Sequence, residues 1–233
     1  MELDVQKKEN PLMNLLLNIV IPSVILIKFS SNDYLGPVNG LITAISFPLG
    51  YGLFSLIKNK KVNYISIIGL ISVLLTGVFG VLKLDAEWIA YKEAGVPLII
   101  GLAVLISLKT PFPLVKKLLY NDQVLNTQKI NATLQVNNNQ QRFEKRLVIS
   151  TFLLACTFFL SSGLNFILAK IMLISEPGTE AFNTELGKMT AYSFPIIAIP
   201  SMIFMVGVLY YLIRSITLLT GLKFTEIFTV EIK

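Results

Sequence analysis

Histidine is absent from the 233-residue chain, and cysteine occurs once, at Cys156. The first absence removes the commonest general base and the imidazole metal ligand, and with them every Ser–His or Cys–His nucleophile pair. The second excludes an intramolecular disulfide and a thiolate cluster. Cys156 lies in an apolar run, where a lone thiol packs as a small apolar side chain. Charge is scarce too: 15% of residues are charged, against 54% hydrophobic and a mean hydropathy of +0.69. A soluble domain carries nearer a quarter charged residues, so this balance is that of a membrane protein. Phosphate-cradling glycine patterns are missing, both the Gly-x-x-x-x-Gly-Lys-Ser/Thr loop and a glycine fingerprint after a strand. No cofactor, metal or catalytic residue is therefore expected. Asp85, Glu87 and Glu93 cluster along the chain, but nothing in the pattern positions a substrate between them, so the chain is read as non-enzymatic.

What the chain does have is long apolar runs, and about 20 such residues cross a bilayer. Six runs qualify: 12–29, 35–57, 64–82, 90–108, 147–173 and 190–216. The expected fold is all-α, a single six-helix transmembrane domain. The first run is long enough to span and no convincing cleavage site follows it, so it is read as a retained helix rather than a signal peptide. The densely charged stretch 83–97 follows the third run, overlaps the start of the fourth, and reads as the exposed turn of a membrane hairpin. Trp88 and Tyr91 suit the headgroup level, where amphipathic rings settle.

The net charge of +6 could suggest nucleic acid, but the basic residues fall in loops between apolar runs, and no nucleic-acid partner is expected. With the N-terminus in the cytoplasm, 15 of the 20 basic residues face inward, among them Lys7, Lys8, Lys58, Lys60, Lys61, Lys116, Arg146, Arg214 and Lys233. Only Lys28, Lys83, Lys92, Lys170 and Lys188 face outward. The positive-inside rule then puts both termini in the cytoplasm. The longest loop, 109–146, is cytoplasmic on this scheme. Its start, 113–120, can lie along anionic headgroups. Its stretch 121–141 holds 11 Asn or Gln among 21 residues and reads as a mobile linker or weak surface helix. In the last outer loop, Pro177-Gly178 signals a turn, and Glu180, Asn183, Leu186 and Gly187 then fall at helical spacing.

Within the spans, Gly36, Gly40 and Ala44 form one ridge of small residues, and Ser72, Thr76 and Gly80 another. Such ridges let helices approach closely in lipid, within one bundle or across a homodimer. Pro22, Pro48, Pro97, Pro195 and Pro200 are expected to kink their helices. Asn14 and Asn18 stand one turn apart in the first span and Asn165 lies in the fifth; such amides either bond across helices or line a polar path. Lys92 and Glu93, together with Glu180, Glu185 and Lys188, form either an outer network that binds a ligand, a headgroup or a partner, or a solvated rim whose pairs contribute little. Candidate binding residues are thus Asn14, Asn18, Lys92, Glu93, Asn165, Glu180 and Asn183.

Several motifs carry a resemblance. Lys61-Val62, Gly77, Gly80, Asp85 and Lys92, then Arg146 leading into a helix with Gly163-Leu-Asn165, are similar to the intracellular septation protein A family. Phe47-Pro-Leu-Gly-Tyr-Gly52, Lys83-Leu-Asp85 and Pro177-Gly-Thr-Glu-Ala-Phe-Asn183 resemble a sister group of bacterial inner-membrane proteins. The chain lacks the tryptophan usual after the family's arginine, and its outer loop 175–189 is larger. The resemblance implies an inner-membrane protein that supports cell-envelope maintenance or division through membrane-protein partners. The alternative is a small transporter or channel with a polar path lined by Asn14, Asn18 and Asn165.

Overall fold

The computed structural model describes residues 11–59, 64–110, 114–122 and 124–229. The architecture is all-α, with no strand among the described residues; Leu125 and Phe228 make an isolated antiparallel bridge. In chain order the helices are α1 (Pro11–Leu15), a π-turn (Leu16–Val20), α2 (Ile21–Lys28), α3 (Gly36–Asn59), α4 (Tyr64–Val81) and α5 (Ala86–Ser107). There follow α6 (Leu114–Leu118), α7 (Thr127–Val136), α8 (Gln140–Met172), α9 (Glu180–Ser193), a second π-turn (Phe194–Ala198), α10 (Ile199–Thr220) and α11 (Phe224–Ile227).

Four helices are long and apolar enough to cross a membrane: Gly36–Ser55, Ala86–Ser107, Gln140–Met172 and the continuous Glu180–Thr220. Leu12–Lys28 and Ile71–Val81 are shorter apolar helices. At 1.5 Å per residue a 22-residue helix such as α5 is about 33 Å long, which matches the hydrocarbon thickness. The chain is a helical membrane protein. Residues 1–10 with Lys7 and Lys8, the loop lysines Lys60 and Lys61, the family-like Lys61-Val62 pair, Pro113 and Lys233 lie outside the described residues.

The chain divides into two compact units, Met1–Ala94 with Leu164–Ile196, and Gly95–Gly163 with Ile197–Lys233. In the first unit small residues let helices approach closely, Gly40 and Gly80 of the expected ridges among them. A Cβ on Gly187 would lie 2.9 Å from Leu26 Cβ and 3.0 Å from the Ser23 carbonyl, so α9 meets α2 almost backbone to backbone. Gly77 and Gly80 leave room for Ile45 and Leu41 of α3, and Gly40 lies under Ser30. Leu26, Leu41, Ala44, Ile89 and Phe182 are buried here.

The hairpin turn is tighter than 83–97. It occupies 82–85, with Lys83 left-handed at φ 53° and the Leu84 amide bonded back to the Phe79 carbonyl. Asp85 Oδ1 then accepts from the Glu87 amide at 2.9 Å and starts α5 at Ala86. As a result Ile89 and Ala90 are buried, not exposed, while Trp88 and Tyr91 stay exposed with ring centroids 6.3 Å apart.

Both π-turns sit at prolines. Pro22 has no N–H to offer the Asn18 carbonyl, and Ile21 instead bonds five residues back to Leu16. Pro195 lies inside the second π-turn and Pro200 just after it. Widening the helix by one residue relieves the missing donor and the ring clash that proline imposes.

In the second unit the 121–141 stretch is neither a mobile linker nor a weak surface helix. Asn126 caps α7 by accepting from the Lys129 amide at 3.1 Å, and Ile130 and Leu134 are wholly buried. They join Val104, Val115, Leu154, Leu212, Ile216 and Ile227 in one core. The asparagines have specific tasks. Asn138 takes the left-handed turn at φ 53°, and the Asn137 and Asn139 amides donate to the Thr220 and Leu219 carbonyls at 3.1 and 2.8 Å. Those are orphan carbonyls at the C-terminus of α10, which must find donors.

Candidate functional site

The first unit contains a cavity of about 460 Å³. Asn14, Asn18, Pro22 and Leu26 line it from α1, the first π-turn and α2. Ala44, Pro48, Tyr51 and Ser55 line it from α3, and Ser72 and Thr76 from α4. Lys92 and Glu93 of α5 and Met189 and Thr190 of α9 complete it. This is the size of a small-ligand site, mostly apolar with a few convergent polar groups.

Helical spacing places each of these groups. Asn14 and Asn18 are one turn apart, so Asn18 Nδ2 donates to Asn14 Oδ1 at 2.8 Å, and this pair faces the cavity rather than a neighbouring helix. Ser72 and Thr76 repeat the same spacing on α4 and present two hydroxyls to α5. Lys92 answers them. Its Nζ donates to Thr76 Oγ1, to the Ser72 carbonyl at 3.2 Å and to Ser72 Oγ at 3.4 Å, and it pairs with Glu93 Oε1 at 2.6 Å. The Lys92 side chain is 7% exposed and that of Glu93 27%. An ion pair this deep in an apolar bundle is rare, because each charge gives up its water.

Four of the seven expected residues therefore meet around one cavity: Asn14, Asn18, Lys92 and Glu93. Asn165 does not line it; it is half-buried on α8. Glu180 is exposed in the first turn of α9. Asn183 is wholly buried, and its Nδ2 donates to Ser30 Oγ at 3.1 Å and to the Pro37 carbonyl at 2.6 Å, which pins α9 to the turn between α2 and α3. Its role is architectural.

The single outer network also resolves into separate parts. Glu185 accepts from the Ile174 and Ser175 amides, both at 2.9 Å, and from Ser175 Oγ at 2.7 Å, and so fixes the loop before α9. Lys170 pairs with Glu87. Ser72, Thr76, Tyr51 and Ser55 were not singled out as site residues. For Ser72 and Thr76 the legible signal is a pair of hydroxyls one turn apart, beside their small size. Among the described residues no group of three or more Cys, Asp or Glu side chains could hold a metal ion.

Fold and cavity together define the class: a helical membrane protein with a charged, partly enclosed pocket in one of its two units. Set against protein-family models, curated proteins and solved structures, the chain matches none.

Proposed function

We propose that the chain is a six-helix bacterial inner-membrane protein with both termini in the cytoplasm, and that its cavity binds a small solute for passage across the membrane. The carrying observation is the Lys92–Glu93 pair, held with Asn14 and Asn18 around one cavity. Ionisable groups at membrane depth are costly and mark solute or ion paths. Prolines beside the cavity, with a π-turn directly before Pro22, give the helix register that irregular membrane helices use at binding sites. Six spans follow if Leu12–Lys28 and α4 cross beside the four longer helices, and the loop lysines and arginines support the orientation. The bacterial inner membrane rests on the septation-family resemblance. No chemistry on a substrate is assigned. A homodimer would give six helices the size common in transport units.

The test is solvent access. In a Cys156→Ser background, single cysteines replace Asn18, Asn165 and the exposed Ile203, and a membrane-impermeant maleimide is applied to intact cells and to inverted membranes. Asn18→Cys should label at least tenfold faster than Ile203→Cys from one side. Labelling at Asn18 no faster than at Ile203 from either side would mean a closed bundle. The support role in envelope maintenance or division, acting through membrane-protein partners, would then take precedence.

A further inference from the structure

Among the described residues the cavity holds one cation, Lys92, and one anion, Glu93, and their surroundings are unequal. An ammonium has three donors and no acceptor. The protein already engages those of Lys92: Thr76 and Ser72 take it on the α4 side, and Glu93 Oε1 on its own helix. A ligand carboxylate or phosphate would have to pull Lys92 away from these contacts. A carboxylate accepts at about four positions on its two oxygens. Among the described residues Glu93 pairs with Lys92 through Oε1 and shows no bond at Oε2, and it is the more exposed member of the pair. The free capacity in the cavity is thus negative.

The remaining lining sets the shape of the occupant. Asn18 spends a donor on Asn14, so that pair still offers the Asn18 carbonyl oxygen and the Asn14 amide. Pro22, Leu26, Pro48 and Met189 make most of the wall apolar. A cation carrying its own apolar body fits both halves of the surface.

Resting on the solute-binding reading above, we infer that the cavity takes an amphipathic organic cation, an amine or quaternary ammonium with an apolar body, and that Glu93 is its counter-ion. Lys92 is a positioning residue. It holds the Glu93 carboxylate at the wall and, as a like charge, limits how tightly the cation is bound.

The experiment uses the full chain in nanodiscs of zwitterionic lipid. Radiolabelled benzyltrimethylammonium is the probe, with neopentylbenzene as its neutral isostere and phenylmethanesulfonate as its anionic counterpart. The cation should bind saturably, and neither analogue should displace it. Glu93→Gln should weaken binding at least tenfold and Glu93→Asp by threefold or less. Lys92→Gln, where it folds, should tighten the cation severalfold, the opposite of what an anion site would show. Displacement by the sulfonate, or Glu93→Gln within twofold of the parent, overturns the inference. Rapid maleimide labelling at Asn18 with no binding of the cation also overturns it while leaving the solute cavity standing. Failure of that labelling removes the cavity reading itself.

Discussion

Replacing Lys92 by methionine keeps an unbranched side chain one atom shorter and removes its charge and every donor. The structure lets the cost be built from parts. Lys92 reaches from α5 to two α4 residues, Ser72 and Thr76. Interhelical hydrogen bonds in membrane proteins average about 0.6 kcal/mol and reach about 1.7, so these contacts contribute about 1–3 kcal/mol together. The change also strands the Glu93 carboxylate. Breaking a fully buried pair costs about 3–5 kcal/mol. Because the Glu93 side chain is 27% exposed, a discounted third of that, about 1–1.7 kcal/mol, is the reasonable share. The sum is about 2–5 kcal/mol for Lys92→Met. Adding Glu93→Gln removes the stranded charge and should recover about 1 kcal/mol, a coupling that a double-mutant cycle isolates. The assay is reversible unfolding of the full chain in mixed micelles as denaturing detergent is titrated, followed by the fluorescence of Trp88, the single tryptophan. Lys92→Met within 0.5 kcal/mol of the parent would refute the reasoning, as would a double variant less stable than Lys92→Met alone.

Two further outcomes follow from packing and charge. Gly187→Ala places a methyl 2.9 Å from Leu26 Cβ and 3.0 Å from the Ser23 carbonyl, and should destabilise by about 1–3 kcal/mol in the same titration. Gly207→Ala, with nothing within 4 Å of the added carbon, should be neutral or slightly stabilising and serves as its control. In the second unit the Lys129 ammonium, 2.8 Å from Glu226, and then the Lys223 backbone amide hold the Glu226 carboxyl below its usual range. A depressed folded value means that this stabilisation is present above the unfolded value, about 4.3, and is lost as pH falls through the folded one. Protection of the Asn126 and Thr229 amides, which bond to the Ile227 and Val124 carbonyls, should therefore weaken as pH drops below 4.3, after correction for intrinsic exchange. Glu226→Gln should flatten that dependence, and an unchanged profile would show that the pair does nothing for α11.

The sequence by itself determined the class of the protein, because that depends on composition summed over whole segments. Apolar runs too long for soluble helices, few charges and loop-bound lysines leave a helical membrane protein as the only physical solution. Of the small residues at four-residue steps, Gly40 and Gly80 sit at close contacts, with Ser30 and Leu41. Tertiary structure decided which polar groups share a site. In these helices nearly every face is apolar, so periodicity does not say which face meets which neighbour, and only the fold sets the Ser72 and Thr76 hydroxyls against Lys92. The same limit separates Asn14 and Asn18, which line the cavity, from Asn183, a buried tie. All three are amides in apolar surroundings. Asn14 and Asn18 bond to each other one turn apart and reach the cavity as a pair, whereas Asn183 finds its partners, Ser30 and Pro37, far away along the chain.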